Sequence, residues 1–218
     1  VTVDKSVTVI PRGAFDYHRN IEEFECHDGV EKVEGRAFFQ CPSLRRVKMP
    51  GVKIIEIRAF SDCDALEDVE CGKLERIGWG AFYSCSSLRS INLPSVKIVE
   101  EDAFSECEAL TDVTFGDKLE RIEGWAFDGC ESLERIAIPL SNHIVDDDDD
   151  DDYYCDVFQG CSKLKHVDLV GGVHETIAAL PVDDWRNDMN AAIDAINQIL
   201  PNTPAVAFWG EKGGKGRA

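Results

Sequence analysis

The chain is 218 residues long, 44% hydrophobic, and carries 42 acidic against 23 basic residues, a formal charge of −19. That length holds one sizeable core or one array with an appendage, and the apolar share excludes wholesale disorder. The charge argues against nucleic acid as a partner, because phosphate backbones are held by clustered Lys and Arg, and no run approaches the roughly 18 apolar residues of a membrane-spanning segment.

Pairs of a small residue and Phe recur along the chain, with Phe at 15, 38, 60, 82, 104, 127 and 158. The steps are 23, 22, 22, 22, 23 and 31 residues. A period of 22 to 23 is the signature of a solenoid, in which stacked repeats bury a column that no single repeat could bury alone. Every other slot follows from the Phe. Three residues on stand Cys41, Cys63, Cys85, Cys107, Cys130 and Cys161, with His18 in the first repeat. Six on stand Ile21, Leu44, Leu66, Leu88, Leu110, Leu133 and Leu164. Nine and eleven on are apolar again, as in Val47/Met49 and Ile91/Leu93, and alternate with polar residues at the period of a half-buried strand. Pro50, Pro94 and Pro139, or Gly72 and Gly116, then stop the strand.

Eight and five residues before the Phe lies a second apolar pair, such as Val30/Val33 or Leu74/Ile77, which predicts a second short extended leg. The Ala-Phe-x-x-Cys segment between the legs is expected to form a helical turn. The pattern, shown by the stretch 81–107 (AFYSCSSLRSINLPSVKIVEEDAFSEC), resembles the BspA-type leucine-rich repeat family over roughly residues 1–170. The resemblance implies an α/β solenoid, a right-handed curved coil of about seven repeats of 22–23 residues, and a role in binding or adhesion. It implies no catalytic residue. The first and seventh repeats depart from the pattern, with His18 for Cys, Val157 for Ala and an interrupted leg before Phe158.

Eight of the nine cysteines occupy repeat slots, Cys26 and Cys71 among the strand-core positions. In-register thiols stack inside the column as small buried hydrophobes. No C-x-x-C pair offers zinc ligands, although stacked neighbours could approach disulfide distance. Reduced thiols point to an intracellular setting. Cys155 alone fits no slot and is expected to be exposed. It follows a run of seven aspartates, Asp146 to Asp152, inside an insertion over 141–156. Self-repulsion favours a solvated loop there, and the run lacks the spaced ligands and turn glycine of a calcium-binding EF-hand.

At the N-terminus, Val1 and Val3 match the strand slots of a preceding turn, so the expectation is a fragment with an open edge. Compartment signals, and with them an extracellular location, would lie upstream. After Leu169 the period stops. Val182, Trp185, Met189, Ala192, Ile196 and Ile199 trace one apolar stripe, which predicts a helical cap over 171–201, with docking to another chain as the alternative use of the same stripe. Residues 202–218 read as a flexible tail.

No catalytic, metal or cofactor motif is present: the five histidines fall in unrelated slots and no phosphate loop or nucleophile elbow occurs. The organised surface is the polar side of the main strands. Eight residues after each Phe stand Glu23, Arg46, Asp68, Ser90, Asp112, Arg135 and His166. Ten after stand Glu25, Lys48, Glu70, Asn92, Thr114, Ala137 and Asp168. These rows are the candidate surface for a protein partner. The competing interpretation is a solvated sheet face on which Arg46 and Lys48 pair with the acids beside them. The function expected is a non-enzymatic protein-interaction module, with a structural or adhesive segment of a larger surface protein as the alternative.

The slot assignment makes a sharp stability prediction. Leu88→Ala should cost about 2–5 kcal/mol, whereas Asn92→Ala should leave the thermal unfolding midpoint nearly unchanged; equal effects would place the repeat slots wrongly.

Overall fold

The computed structural model describes residues 3–139 and 157–170. The chain divides into two compact units, residues 1–176 and 177–218, and all described strands lie in the first. The acidic insertion over 141–156, with Cys155, lies outside the described residues, as do the expected helix over 171–201 and tail over 202–218.

Two kinds of strand alternate along the chain. The short second legs are β1 (Val9–Ile10), β3 (Lys32–Val33), β5 (Ile54–Ile55), β7 (Arg76–Ile77), β9 (Ile98–Val99) and β11 (Arg121–Ile122). The main strands are β2 (Glu23–Glu25), β4 (Arg46–Lys48), β6 (Asp68–Glu70), β8 (Ser90–Leu93), β10 (Asp112–Phe115), β12 (Arg135–Pro139) and β13 (His166–Val170). All second legs form one six-stranded parallel sheet in sequence order. The main strands form a parallel group of three, β2-β4-β6, and a parallel group of four, β8-β10-β12-β13. The result is a parallel β-solenoid of about six turns, one fewer than the Phe count suggests, because among the described residues the seventh Phe has no second leg before it.

The core follows the slots. Phe24, Val47 and Ile91 point inward from the main strands between exposed neighbours, and Ile136 does so between exposed Arg135 and half-buried Ala137. Leu44, Leu66, Leu88, Leu110 and Leu133 are fully buried, as are Val33, Ile55, Ile77 and Val99 of the second legs. The recurrent Phe rings stack along the axis from Phe15 through Phe158 with centroids 4.9–5.7 Å apart. Their planes lie within 18° of parallel. Each buried ring stabilises the column by roughly 1.5–3 kcal/mol through area alone, with about 0.5–1.5 more for ring contact.

The third wall corrects the expectation of a helical turn: no helix occurs among the described residues, so the α part of the expected α/β class is not found there. The Ala-Phe-x-x-Cys segment is instead a chain of β-turns. In the fourth repeat Ala81 N–H donates to Gly78 C=O, Tyr83 to Gly80, Cys85 to Phe82 and Leu88 to Cys85, at 3.0–3.2 Å. The first and third of these turns carry positive φ at their third residue, Gly80 (55°) and Ser84 (57°). The same two positions repeat as Arg36/Gln40 and Arg58/Asp62, and again as Asp102/Glu106. A left-handed residue every fourth position prevents a helix from propagating. It also turns alternate N–H groups toward the next repeat. Gly80, Phe82 and Ser84 donate to the carbonyls of Glu101, Ala103 and Ser105 at 2.8–3.0 Å.

Ser84 isolates the cost of this backbone. Ser84→Gly should leave stability within about 0.5 kcal/mol, while Ser84→Val should lose about 1–2 kcal/mol in urea unfolding, because a β-branched residue resists positive φ. Equal losses would show that side-chain contacts decide the position instead.

Candidate functional site

The two polar rows predicted on the main strands are both present and in register. Glu23 pairs with Arg46 and Arg46 with Asp68 across β2-β4-β6, and Glu25, Lys48 and Glu70 form the parallel row. On the second group Ser90, Asp112, Arg135 and His166 align, as do Asn92, Thr114, Ala137 and Asp168. Between β6 and β8 no strand pairing joins the two groups, so each row is divided there.

Charge on these rows is largely spent on neighbours. Arg46 lies 3.0 Å from Glu23 and 3.6 Å from Asp68, and Lys48 lies 3.6 Å from Glu70. Arg135 is paired with Asp168. All are exposed, so each pair contributes at most about 1 kcal/mol. The centre, formed by Ser90, Asn92, Asp112 and Thr114, has none of these ion pairs and offers hydroxyls, an amide and one carboxylate.

The thiols are consumed by the core. Cys63, Cys85, Cys107 and Cys130 each donate to the carbonyl of the Phe one repeat earlier, at 3.1–3.2 Å. Cys41 and Cys161 do the same at 3.0 and 3.1 Å. The carbonyls of Phe82, Phe104 and Phe127 therefore take two donors, as with the Cys85 N–H and the Cys107 thiol on Phe82. Among the described residues the cysteines are thiols, not disulfides. Burial pushes the Cys26 thiol up to about 11, and those of Cys71 and Cys107 to about 12, away from the reactive thiolate. Among the described residues no three His, Cys, Asp or Glu side chains gather as a metal site. No helix there is long and apolar enough to cross a membrane.

Slot analysis missed a second surface, at the corner where the second legs enter the turns. Among the described residues the exposed large apolar side chains are Tyr17, Ile54, Ile57 and Tyr83, all on the second legs or in the turns and none on the main strands. Two guanidinium groups lie over aromatic rings there, Arg36 on Phe39 and Arg58 on Trp79, each 4.4 Å from the ring centre. The slots two to three residues before the Phe, and one to two after it, vary from repeat to repeat. Their signal is an excess of aromatics and Arg, not a periodicity.

A carboxylate ladder runs along the same corner. Four residues before the Phe, Glu34, Glu56, Glu100 and Glu123 each accept the N–H of a residue one repeat earlier. The donors are Arg12 (2.9 Å), Gly35 (3.0 Å), Trp79 (2.8 Å) and Glu101 (3.2 Å). The Lys32 ammonium and the Gly35 N–H hold the Glu56 carboxyl below its ordinary range against a smaller effect of burial. In the fourth repeat the slot is Gly78, and the ladder has a gap. A Cβ at Gly78 would come within 2.9 Å of the Ile57 nitrogen and the Glu56 carbonyl carbon, so the close approach of two backbones dictates glycine here.

A family model described as BspA type leucine rich repeat region matches residues 1–108 and 75–178, in six copies. Among solved structures, a Treponema leucine-rich repeat protein, T. pallidum TpLRR, is 24% identical with a TM-score of 0.59, over 81% of this chain and 83% of that one. The pneumococcal vaccine antigen PcpA is 20% identical with a TM-score of 0.55, over 77% of this chain and 39% of that one. No curated protein matches the chain. At these identities the structural likeness is one of fold.

The buried thiols make a pH prediction. Cys71 and Cys107 ionise near 12 in the folded chain, against 9.0 for an ordinary thiol, so the unfolded chain loses these protons first. Their stabilisation is fully present below pH 9 and declines as pH rises from 9 toward 12. Between pH 8 and about pH 10.5 urea unfolding should lose roughly 2 kcal/mol per such thiol. Cys71→Ala should flatten that slope; an unchanged slope would mean that Cys71 titrates normally.

Proposed function

The chain belongs to the BspA-type leucine-rich repeat family, and from that premise we propose that it is a protein-interaction module whose main-strand face meets a protein partner. Family members are commonly surface and adhesion repeat proteins, and leucine-rich repeat solenoids are typically non-enzymatic. The observation that carries the reading is the alignment of exposed polar residues into two rows on parallel strands that hold them in fixed register. A solenoid offers such a face as an extended contact surface. Within it the centre around Ser90, Asn92, Asp112 and Thr114 is the part a partner reaches without first breaking ion pairs. The outer positions Glu23, Glu25, Arg46, Lys48, Glu70, Asp68, Arg135, His166 and Asp168 then set charge complementarity at the rim, which acts on specificity and on-rate more than on affinity. The right-handed sense of coil expected from the family belongs to the same reading.

A second reading, a structural or adhesive segment of a larger surface protein, is favoured by the likeness to PcpA, a vaccine antigen of which this chain spans 39%. The complete reading frame separates the two: a signal peptide and anchor support the adhesive segment, and a cytosolic start removes it.

The strand-face reading is tested with a saturable partner recovered by the intact array and titrated against the double variant Asn92→Arg/Thr114→Arg. Two bulky charges at the centre should weaken binding by about ten-fold or more, with thermal unfolding unchanged. Undiminished affinity would move the contact off this face.

A further inference from the structure

We propose that the corner formed by Ile54, Ile57, Arg58, Trp79 and Tyr83 is a docking site for a protein segment that presents a carboxylate beside an aliphatic side chain. This surface is separate from the main-strand rows and would stand if those rows bound nothing.

The first support is a fixed cation. Arg58 is exposed, lies over the Trp79 ring at 4.4 Å, and makes no ion pair among the described residues; the Asp102 carboxylate feels its charge at longer range, without a direct contact. Arg36, its counterpart one repeat earlier, stacks on Phe39 in the same way but is already paired with Asp16 at 3.2 Å. A guanidinium held over an indole has lost part of its rotamer freedom before a ligand arrives. Its N–H fork remains available to a planar carboxylate. The platform is itself held. The Trp79 backbone N–H donates to Glu100 Oε2 at 2.8 Å, and the Trp79 side chain acts on the Asp102 carboxyl to lower its pKa against the larger effect of burial. Gly80 serves the turn through its φ of 55°, since a Cβ placed there would make only ordinary contact with Arg58 Cγ at 3.5 Å and Tyr83 Cβ at 3.6 Å.

The second support is the gap in the carboxylate ladder. In four repeats a Glu carboxylate accepts the N–H at the corner, and at Gly78 the corresponding donor, Ile57 N–H, has no such acceptor. The gap therefore falls beside Arg58 and removes the acid that the other repeats supply. An incoming carboxylate restores the charge that the pattern lacks at this one place.

The third support decides the class of ligand. Ile54 and Ile57 are 38% and 46% exposed, and Tyr83 is 37% exposed, so apolar surface borders the cation. The guanidinium covers a face of Trp79, which leaves the exposed Tyr83 as the aromatic on which an acidic sugar would stack. Exposed isoleucines match the aliphatic side chain of a peptide better than the hydroxyls of a sugar.

The test is an NMR titration of the whole 218-residue chain, following the Trp79 indole N–H, assigned by its loss in Trp79→Phe. The probes are the capped tripeptide acetyl-Leu-Glu-Leu-amide, its Gln counterpart, and galacturonate. The acidic peptide should give a saturable shift at millimolar concentration, about ten-fold tighter than the Gln peptide. Arg58→Gln should abolish the preference, and Arg89→Gln should leave it intact. Gln40 already occupies the equivalent left-handed region at φ 53°, so glutamine fits the backbone of such a turn. No saturable shift up to about 10 mM, equal response to the Glu and Gln peptides, or insensitivity to Arg58→Gln overturns the proposal. So does tighter binding of galacturonate, which would assign the corner to an acidic sugar. A shift that follows protein concentration without probe would assign it to a second copy.

Discussion

The structure depends on how the turn wall divides its backbone donors. Alternate N–H groups close local turns, and those between them reach forward to the next repeat. That division sets the separation of successive coils. It places Phe rings at stacking distance and brings each ladder thiol onto the carbonyl of the Phe before it. A buried carbonyl with one donor would leave a lone pair unmatched in a dry column. At Phe82, Phe104 and Phe127 cysteine supplies the second donor, and at Phe38 and Phe60 it supplies the donor itself, while remaining small and otherwise apolar.

The legs were legible because side chains on a strand alternate between core and solvent. Residues such as Arg46-Val47-Lys48 announce this alternation, and the structure places all seven main strands where it occurs. The turn wall was not legible for a specific reason. Positive φ is normally advertised by Gly or Asn, but here the left-handed positions are held also by Arg36, Gln40, Glu106 and Trp125. The turns' short-range bonds run from residue i to i+3, and Ala-Phe-x-x-Cys has helix-compatible spacing. Only the cross-repeat bonds distinguish the two, and those depend on residues about 22 apart. The same wall hid the Arg58 and Trp79 pair, because its outward slots change identity at each repeat. The polar rows, by contrast, stood where the alternation put them; what the alternation could not supply was how fully Arg46 and Lys48 are occupied by neighbours.

The two surfaces differ in what ligand binding must displace. On the first three main strands, a charged ligand competes with ion pairs already made, so the net gain from charge is small. At the corner, Arg58 lies over Trp79 without a direct ion pair among the described residues, with only the longer-range charge of Asp102 to offset it, and exposed apolar side chains are its neighbours. One face suits broad complementarity with a modest energetic return per contact. The other suits a small anchor.

The forward-pointing donors of the turn wall have a further effect. In an ordinary sheet neighbouring peptide groups point in opposite directions, and their dipoles nearly cancel. Here the inter-repeat N–H groups of Gly80, Phe82 and Ser84 all point toward the following coil, and those of the other repeats do the same. The wall therefore behaves as a stack of aligned dipoles running along the solenoid axis, with its positive pole toward the later repeats and its negative pole toward the earlier ones. This direction belongs to the turn wall alone, because N–H groups at the second legs, such as those of Lys97 and Glu100, donate back to Glu75 and Ile77 of the earlier repeat; opposite sides of one coil therefore carry opposed backbone fields.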